Sequence, residues 1–142
     1  MSLIFDTHAH YDDEAFDADR EALLASMPEH GVGLILDPGC DLESSRRAVE
    51  LARTYPHVYA AVGWHPENCA PYTEDSLDAL RAWAREPKVV AIGEIGLDYY
   101  WEQNPPRELQ QEHMQHPNMT RLQALKAEYI ANTILQKAEL KQ

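Results

Sequence analysis

Leu3-Ile4-Phe5-Asp6-Thr7-His8-Ala9-His10-Tyr11-Asp12 decides how the rest of the chain is read. An apolar run leads straight into His-x-His. In an extended strand, side chains two apart point to the same face, so Asp6, His8 and His10 align, with the histidine Cα atoms about 6.5–7 Å apart. Two imidazoles at that spacing can converge on one divalent metal ion, and a carboxylate nearby can orient a ring. The competing reading is a histidine pair in a polar loop, with Asp6 a buried carboxylate facing a neighbouring strand.

Working outward, the same apolar-then-polar pattern recurs. Residues 3–10 read as a buried strand. An acidic loop (Asp12, Asp13, Glu14, Asp17, Asp19) runs into a helix over about 17–30, and Gly31 is a natural stop just past its end. Val32-Gly33-Leu34-Ile35-Leu36 is a second strand, closed by the turn-like Asp37-Pro38-Gly39. Asp41 caps a helix over about 42–55. Residues 58–63 form a third strand ending in Trp64-His65-Pro66, and Thr73 caps a helix over about 74–85. Val89-Val90-Ala91-Ile92-Gly93 is a fourth strand, ending in Glu94-Ile95-Gly96-Leu97-Asp98.

The strands are apolar throughout rather than alternating, which predicts burial on both faces and parallel pairing. The fold class is therefore α/β with about four parallel strands, either a doubly wound sheet or part of a (β/α)8 barrel. In both, ligands gather at the C-terminal ends of the strands. His8, His10, Asp37, His65, Glu94 and Asp98 all fall there. Gly-x-Gly-x-x-Gly and the P-loop are absent from the helix starts, which argues against a dinucleotide or Walker-type phosphate site.

The C-terminal part changes character. Residues 99–108 form a loop with an aromatic cluster, Tyr99-Tyr100-Trp101, which can stack on bases or simply pack. A helix begins over 107–116 and meets Pro117. A long helix is predicted from Asn118 or Thr120 to about Lys141. His113 and His116, at i and i+3, are a weak metal pair without a framing carboxylate. Cys40 and Cys69 read as inert thiols.

The 142 residues suggest a single domain. A net charge of −12 argues against broad electrostatic attachment to nucleic acid or anionic membrane, though not against a nucleic-acid substrate held by metals. Two cysteines give no disulfide framework, and reduced thiols in the cytoplasm fit best. No membrane span and no secretion signal are expected.

Taken singly, Glu94 reads either as a metal-bridging carboxylate or as a strand-end cap. Asp98 reads as a site residue or a turn residue, and His65 as a phosphate contact or a structural histidine. Read together, Phe5-Asp6-Thr7-His8-Ala9-His10, Asp37-Pro38-Gly39, Val62-Gly63-Trp64-His65-Pro66 and Gly93-Glu94-Ile95-Gly96-Leu97-Asp98-Tyr99 resemble the TatD family of metal-dependent hydrolases. Asn104-Pro105-Pro106-Arg107-Glu108-Leu109-Gln110 resembles that family's segment after the fourth strand.

The resemblance implies a TIM-type barrel, two divalent metals (Mg²⁺, Mn²⁺ or Zn²⁺) and phosphodiester hydrolysis of DNA. It makes His8 and His10 ligands of one metal and Glu94 the catalytic bridge between both. Asp6, His65 and Asp98 become substrate contacts or supports of the ligands. The resemblance covers about residues 3–111, so 1–112 reads as a half barrel and 113–142 as a helical tail unlike the family. The family's later ligands and its water-activating Asp have no counterpart here, so the chain is expected to be a truncated form, inactive or much weakened. Two other functions stay open. One is a non-catalytic metal- or phosphate-binding fragment that pairs into a homodimer through its open barrel edges. The other is an amidohydrolase acting on a small C–N substrate.

Overall fold

The computed structural model describes residues 3–70 and 73–116. Four strands form one parallel sheet in the order β1-β2-β3-β4: β1 (Ile4–Asp6), β2 (Val32–Pro38), β3 (Val58–Val62) and β4 (Val89–Ile92). Each strand lies beside its sequence neighbours, as a (β/α) barrel requires and a doubly wound sheet does not. The crossovers carry α1 (Arg20–Ser26), α2 (Leu42–Thr54) and α3 (Glu74–Trp83), and α4 (Arg107–Gln115) follows β4. The long helix expected beyond Pro117 lies outside the described residues. α4 itself runs through the expected 112/113 boundary.

Local chemistry explains the helix ends. Asp41 accepts from the Ser44 N–H at 2.8 Å while Ser44 Oγ accepts from the Asp41 N–H at 2.9 Å, a reciprocal capping box. Thr73 caps α3 through the Ser76 N–H. The helix expected over 17–30 is instead broken. A 3₁₀ turn spans Glu14–Phe16, α1 covers only Arg20–Ser26, and a 3₁₀ turn over Met27–His30 follows. Pro28 lacks the N–H that would extend the α-helical ladder. Gly31 then ends the segment at φ 87°, a left-handed position that favours glycine.

The core is one-sided. Ala48, Val49 and Ala52 of α2 and Leu77 and Leu80 of α3 pack on Ala60 and Val62 of β3, with Trp64 and Val89. Leu24 of α1 packs with Ile35 and Val58. Each fully buried Val, Leu or Ile side chain is worth about 1.5–3 kcal/mol. The expected burial on both faces fails at the β1 edge. Leu3, Ile4 and Phe5 are 68%, 60% and 50% exposed, and Leu34 is 41% exposed. β1 has a strand partner on one side only, and no described element covers the face that a closed barrel turns inward. β1 is also shorter than the expected 3–10, because its pairing with β2 is irregular after Ile4 and the chain bends at Thr7 and His8.

Candidate metal centre

The strand ends deliver the polar residues to one rim. Asp6 closes β1, and its Oδ1 accepts from the His8 N–H at 3.3 Å, fixing the bend that follows. Ala9 N–H then donates to the Leu36 carbonyl at 3.1 Å, which ties the His8–His10 segment to β2 beyond the end of the regular strand. So the two imidazoles converge, though through a bend rather than the continuous strand expected from spacing. Their Nε2 atoms lie 3.2 Å apart.

Glu94 arrives from the far edge of the sheet. Its N–H donates to the Gly39 carbonyl at 3.0 Å, and the Gly93 N–H donates to Val62 at 3.0 Å. A Cβ on Gly63 would lie 2.4 Å from the Gly93 carbonyl carbon, so glycine at 63 is what lets the ends of β3 and β4 approach. Glu94 Oε1 reaches His8 Nε2 at 3.0 Å. His8, His10 and Glu94 each offer a ligand atom within 4.8 Å of the others. Separations of 3.0 and 3.2 Å suit ligand atoms around one ion, since metal–ligand bonds of about 2.0–2.2 Å place neighbouring ligands about 3.0–3.4 Å apart. Imidazole with carboxylate is a donor set for a borderline divalent cation.

Two features escaped the sequence reading. The Cys40 thiol, read there as inert, donates to Glu94 Oε2 at 2.9 Å. Burial and then the neighbouring Glu94 push the thiol well above its ordinary range, so Cys40 stays protonated and acts as a donor. The second feature is a deeper acidic pair. Asp37, placed in the sequence among the polar strand ends and in a turn-like Asp-Pro-Gly but not paired with Asp12, is fully buried at the end of β2, and Asp12 is 6% exposed beside it. Burial, and then the charge of Asp12, push the Asp37 carboxyl up to about 8. Burial also raises Asp12. The loop that follows β1 folds over the end of β2 and creates this pair, and nothing in the local sequence of either residue signals the pairing.

The remaining candidates have backbone partners. His65 begins a 3₁₀ turn over Pro66–Asn68, where its Nδ1 accepts from the Glu67 N–H at 3.2 Å, and its own N–H donates to Cys40 at 2.8 Å. It is thus tied to the loop that carries the thiol. Asp98 Oδ1 accepts from the Tyr100 N–H at 2.9 Å, and the Asp98 backbone is clamped by the Gln110 side chain. His113 is buried with its ring against Trp64, and His116 pairs with Glu74 at 3.1 Å, so the structure does not bring these two histidines to a common metal position. Tyr100 and Trp101 are 80% and 55% exposed.

A colinear parallel sheet with two histidines and a carboxylate converging at its C-terminal rim defines a partial (β/α) barrel with a candidate metal site. Comparison with known proteins gives the family. A family model described as TatD related DNase matches residues 5–137, and the chain belongs to that family. The match extends past Glu112, into the segment expected to be unlike the family.

Among curated relatives, the chain is 39% identical over 110 residues to the metal-dependent hydrolase YabD of Bacillus subtilis, covering 78% of this chain and 43% of the relative. It is 43% identical over 108 residues to the metal-dependent hydrolase YjjV of Escherichia coli, covering 75% and 41%. It is 36% identical over 105 residues to the 3'-5' ssDNA/RNA exonuclease TatD of Salmonella typhimurium, covering 74% and 40%. The crystal structure of YjjV superposes with a TM-score of 0.71 at 37% identity, over 84% of this chain and 46% of that one. The chain therefore spans less than half the length of these relatives.

Proposed function

We propose that this chain carries the first-strand and fourth-strand ligands of a metal-dependent phosphodiester hydrolase whose substrate is DNA or a related nucleotide. The observation that carries the reading is the meeting of His8, His10 and Glu94 at one rim, from opposite edges of the sheet. The exonuclease named among the relatives supports the substrate class. His8 and His10 would hold a divalent cation through Nε2 and Glu94 through Oε1, leaving Oε2 to the Cys40 thiol. Such a cation supplies Lewis acidity toward a phosphoryl oxygen and lowers the pKa of a bound water.

The other side chains position. Asp6 fixes the His8 backbone, Cys40 fixes one rotamer of Glu94, and His65 stands on the same loop system as a contact for a substrate phosphate. Asp98 shapes the turn that presents Tyr99, Tyr100 and Trp101 to substrate. Both cysteines are free thiols, which fits a reducing cytoplasm, and among the described residues no helix is long and apolar enough to cross a membrane.

The test is Mn²⁺ binding by calorimetry, paired with single-turnover cleavage of 3'-labelled single-stranded DNA. His8→Ala and Glu94→Ala should each weaken Mn²⁺ binding at least about 10-fold and abolish any cleavage. Unchanged binding in both variants would refute the reading.

A second reading is binding without turnover, as a homodimer. The apolar surface of Leu3, Ile4 and Phe5 at the β1 edge favours it. A solution mass of two chains, with Mn²⁺ bound and no cleavage, would select it.

A further inference from the structure

Behind His10, away from His8 and Glu94, lies a second set of potential ligands. Asp12, Asp37 and His10 each offer an atom within 4.8 Å of the others. Asp37 shares with Ile35 the β2 face that α1 and α2 cover, so the set sits between sheet and helices rather than at the open rim. Asp37 is completely buried, and neither carboxylate oxygen has a hydrogen-bond donor among the described residues. Oδ1 of Asp12 is likewise without a donor and points at His10 Nδ1 at 3.7 Å.

The nearby guanidinium groups do not neutralise the pair. Arg20 donates to the carbonyls of Tyr11, Asp12 and Asp13 and to the Asp17 carboxylate. Arg47 donates to the Asp12 carbonyl and to Glu43. Two adjacent buried carboxylates without a counter-charge are strongly unfavourable. Something cationic, a proton or a metal ion, must sit between them.

We propose that Asp12, Asp37 and Nδ1 of His10 form a second divalent-cation site, separate from the rim site built on His8 and Glu94. One imidazole nitrogen and two carboxylates suit Mn²⁺ or Zn²⁺. The site also couples the two positions. His10 can offer Nδ1 to the inner pocket or Nε2 to the rim, with its one proton on the other nitrogen. When both positions fill, the inner ion rests on the two carboxylates.

The test uses the whole chain and Mn²⁺ alone, read by calorimetry and by electron paramagnetic resonance counting of bound ion. Wild type should bind two ions. Asp37→Asn should lose one and retain the one that His8→Ala/Glu94→Gln abolishes, and the double variant should retain the one that depends on Asp37. Mn²⁺ should raise the melting temperature of the double variant but not of the double variant combined with Asp37→Asn. Asp37→Asn keeps the shape of the side chain and removes a buried charge, so it should fold. If its near-ultraviolet circular dichroism is lost, Asp12→Asn is read in its place. Undiminished stoichiometry and affinity in Asp37→Asn, or in Asp12→Asn, overturns the site and shows that the pair shares a proton. Loss of the rim ion alone bears on the proposed function and leaves this inner site standing.

Discussion

Cys40 and Glu94, 54 residues apart, are joined by a 2.9 Å hydrogen bond from thiol to carboxylate. The bond holds the oxygen of Glu94 that faces away from His8. Removing the donor frees the carboxylate to rotate, and supports of this kind typically matter about 10–100-fold in metal affinity. Cys40→Val should therefore weaken Mn²⁺ binding about 10-fold, and Cys40→Ser should recover most of it, both by calorimetry. The raised thiol pKa also predicts alkylation of Cys40 by iodoacetamide at pH 8 at least about 10-fold slower than a free thiol, followed by mass spectrometry.

Gly63 tests the geometry from the other side of the rim. Its missing Cβ makes room for the Gly93–Glu94 backbone. Gly63→Ala should destabilise the fold by about 1–3 kcal/mol in urea denaturation and displace Glu94, with loss of Mn²⁺ binding. A full-affinity Gly63→Ala protein would show that the β3 and β4 ends can part without cost to the site.

Acid stability should depend on His113. Burial first, then the neighbouring His116, lowers its pKa. Below the unfolded value of about 6.5, the unfolded state binds more protons than the native state at this residue, so stability falls as pH drops through that region. His113→Leu should flatten the loss between pH 6.5 and 5 in thermal melts. An unchanged slope would assign the acid sensitivity to other groups.

The α2 cap is an independent stability check. Asp41→Ala removes the acceptor for the Ser44 N–H and should cost about 1–2 kcal/mol without altering Mn²⁺ affinity.

Catalysis by this chain alone should be at least about 100-fold weaker than by a relative of full length, a difference of about 2.7 kcal/mol in transition-state stabilisation. The described rim brings together two imidazoles and one carboxylate, and no further carboxylate joins them to activate water. Matched turnover of single-stranded DNA by this chain and by a full-length relative would show that three ligands suffice.

Much of this was legible in the sequence for local reasons. Asp41, Thr73 and Gly31 act on backbone groups a few residues away, so their residue types alone predict the helix ends. His8, His10 and Glu94 follow apolar runs, and parallel strands bring such positions to one end of a sheet. What the sequence hid depends on which strands touch, and where. Asp37 reads as a lone polar residue at a turn-like strand end until the loop after β1 brings Asp12 beside it. Cys40 reads as inert until the β4 end brings Glu94 across. The apolar letters of β1 suggest burial, but burial depends on having neighbours on both sides, and an edge strand has only one. The break in the first helix is written in Pro28, whose missing N–H ends the α-helical ladder before His30.

The colinear strand order has a consequence for how such a molecule is made. Every described strand after β1 pairs with one already synthesised, and none must be inserted between two earlier partners. A chain leaving the ribosome can dock each strand–helix unit on the last as it emerges, with contacts that stay close in sequence. Among the described strands β1 and β4 are the two edges, and growth proceeds at the later one, β4, where a further unit can pair without reopening the sheet. The rim is assembled in the same direction: the histidines are in place first, and the carboxylate that faces them arrives three units later.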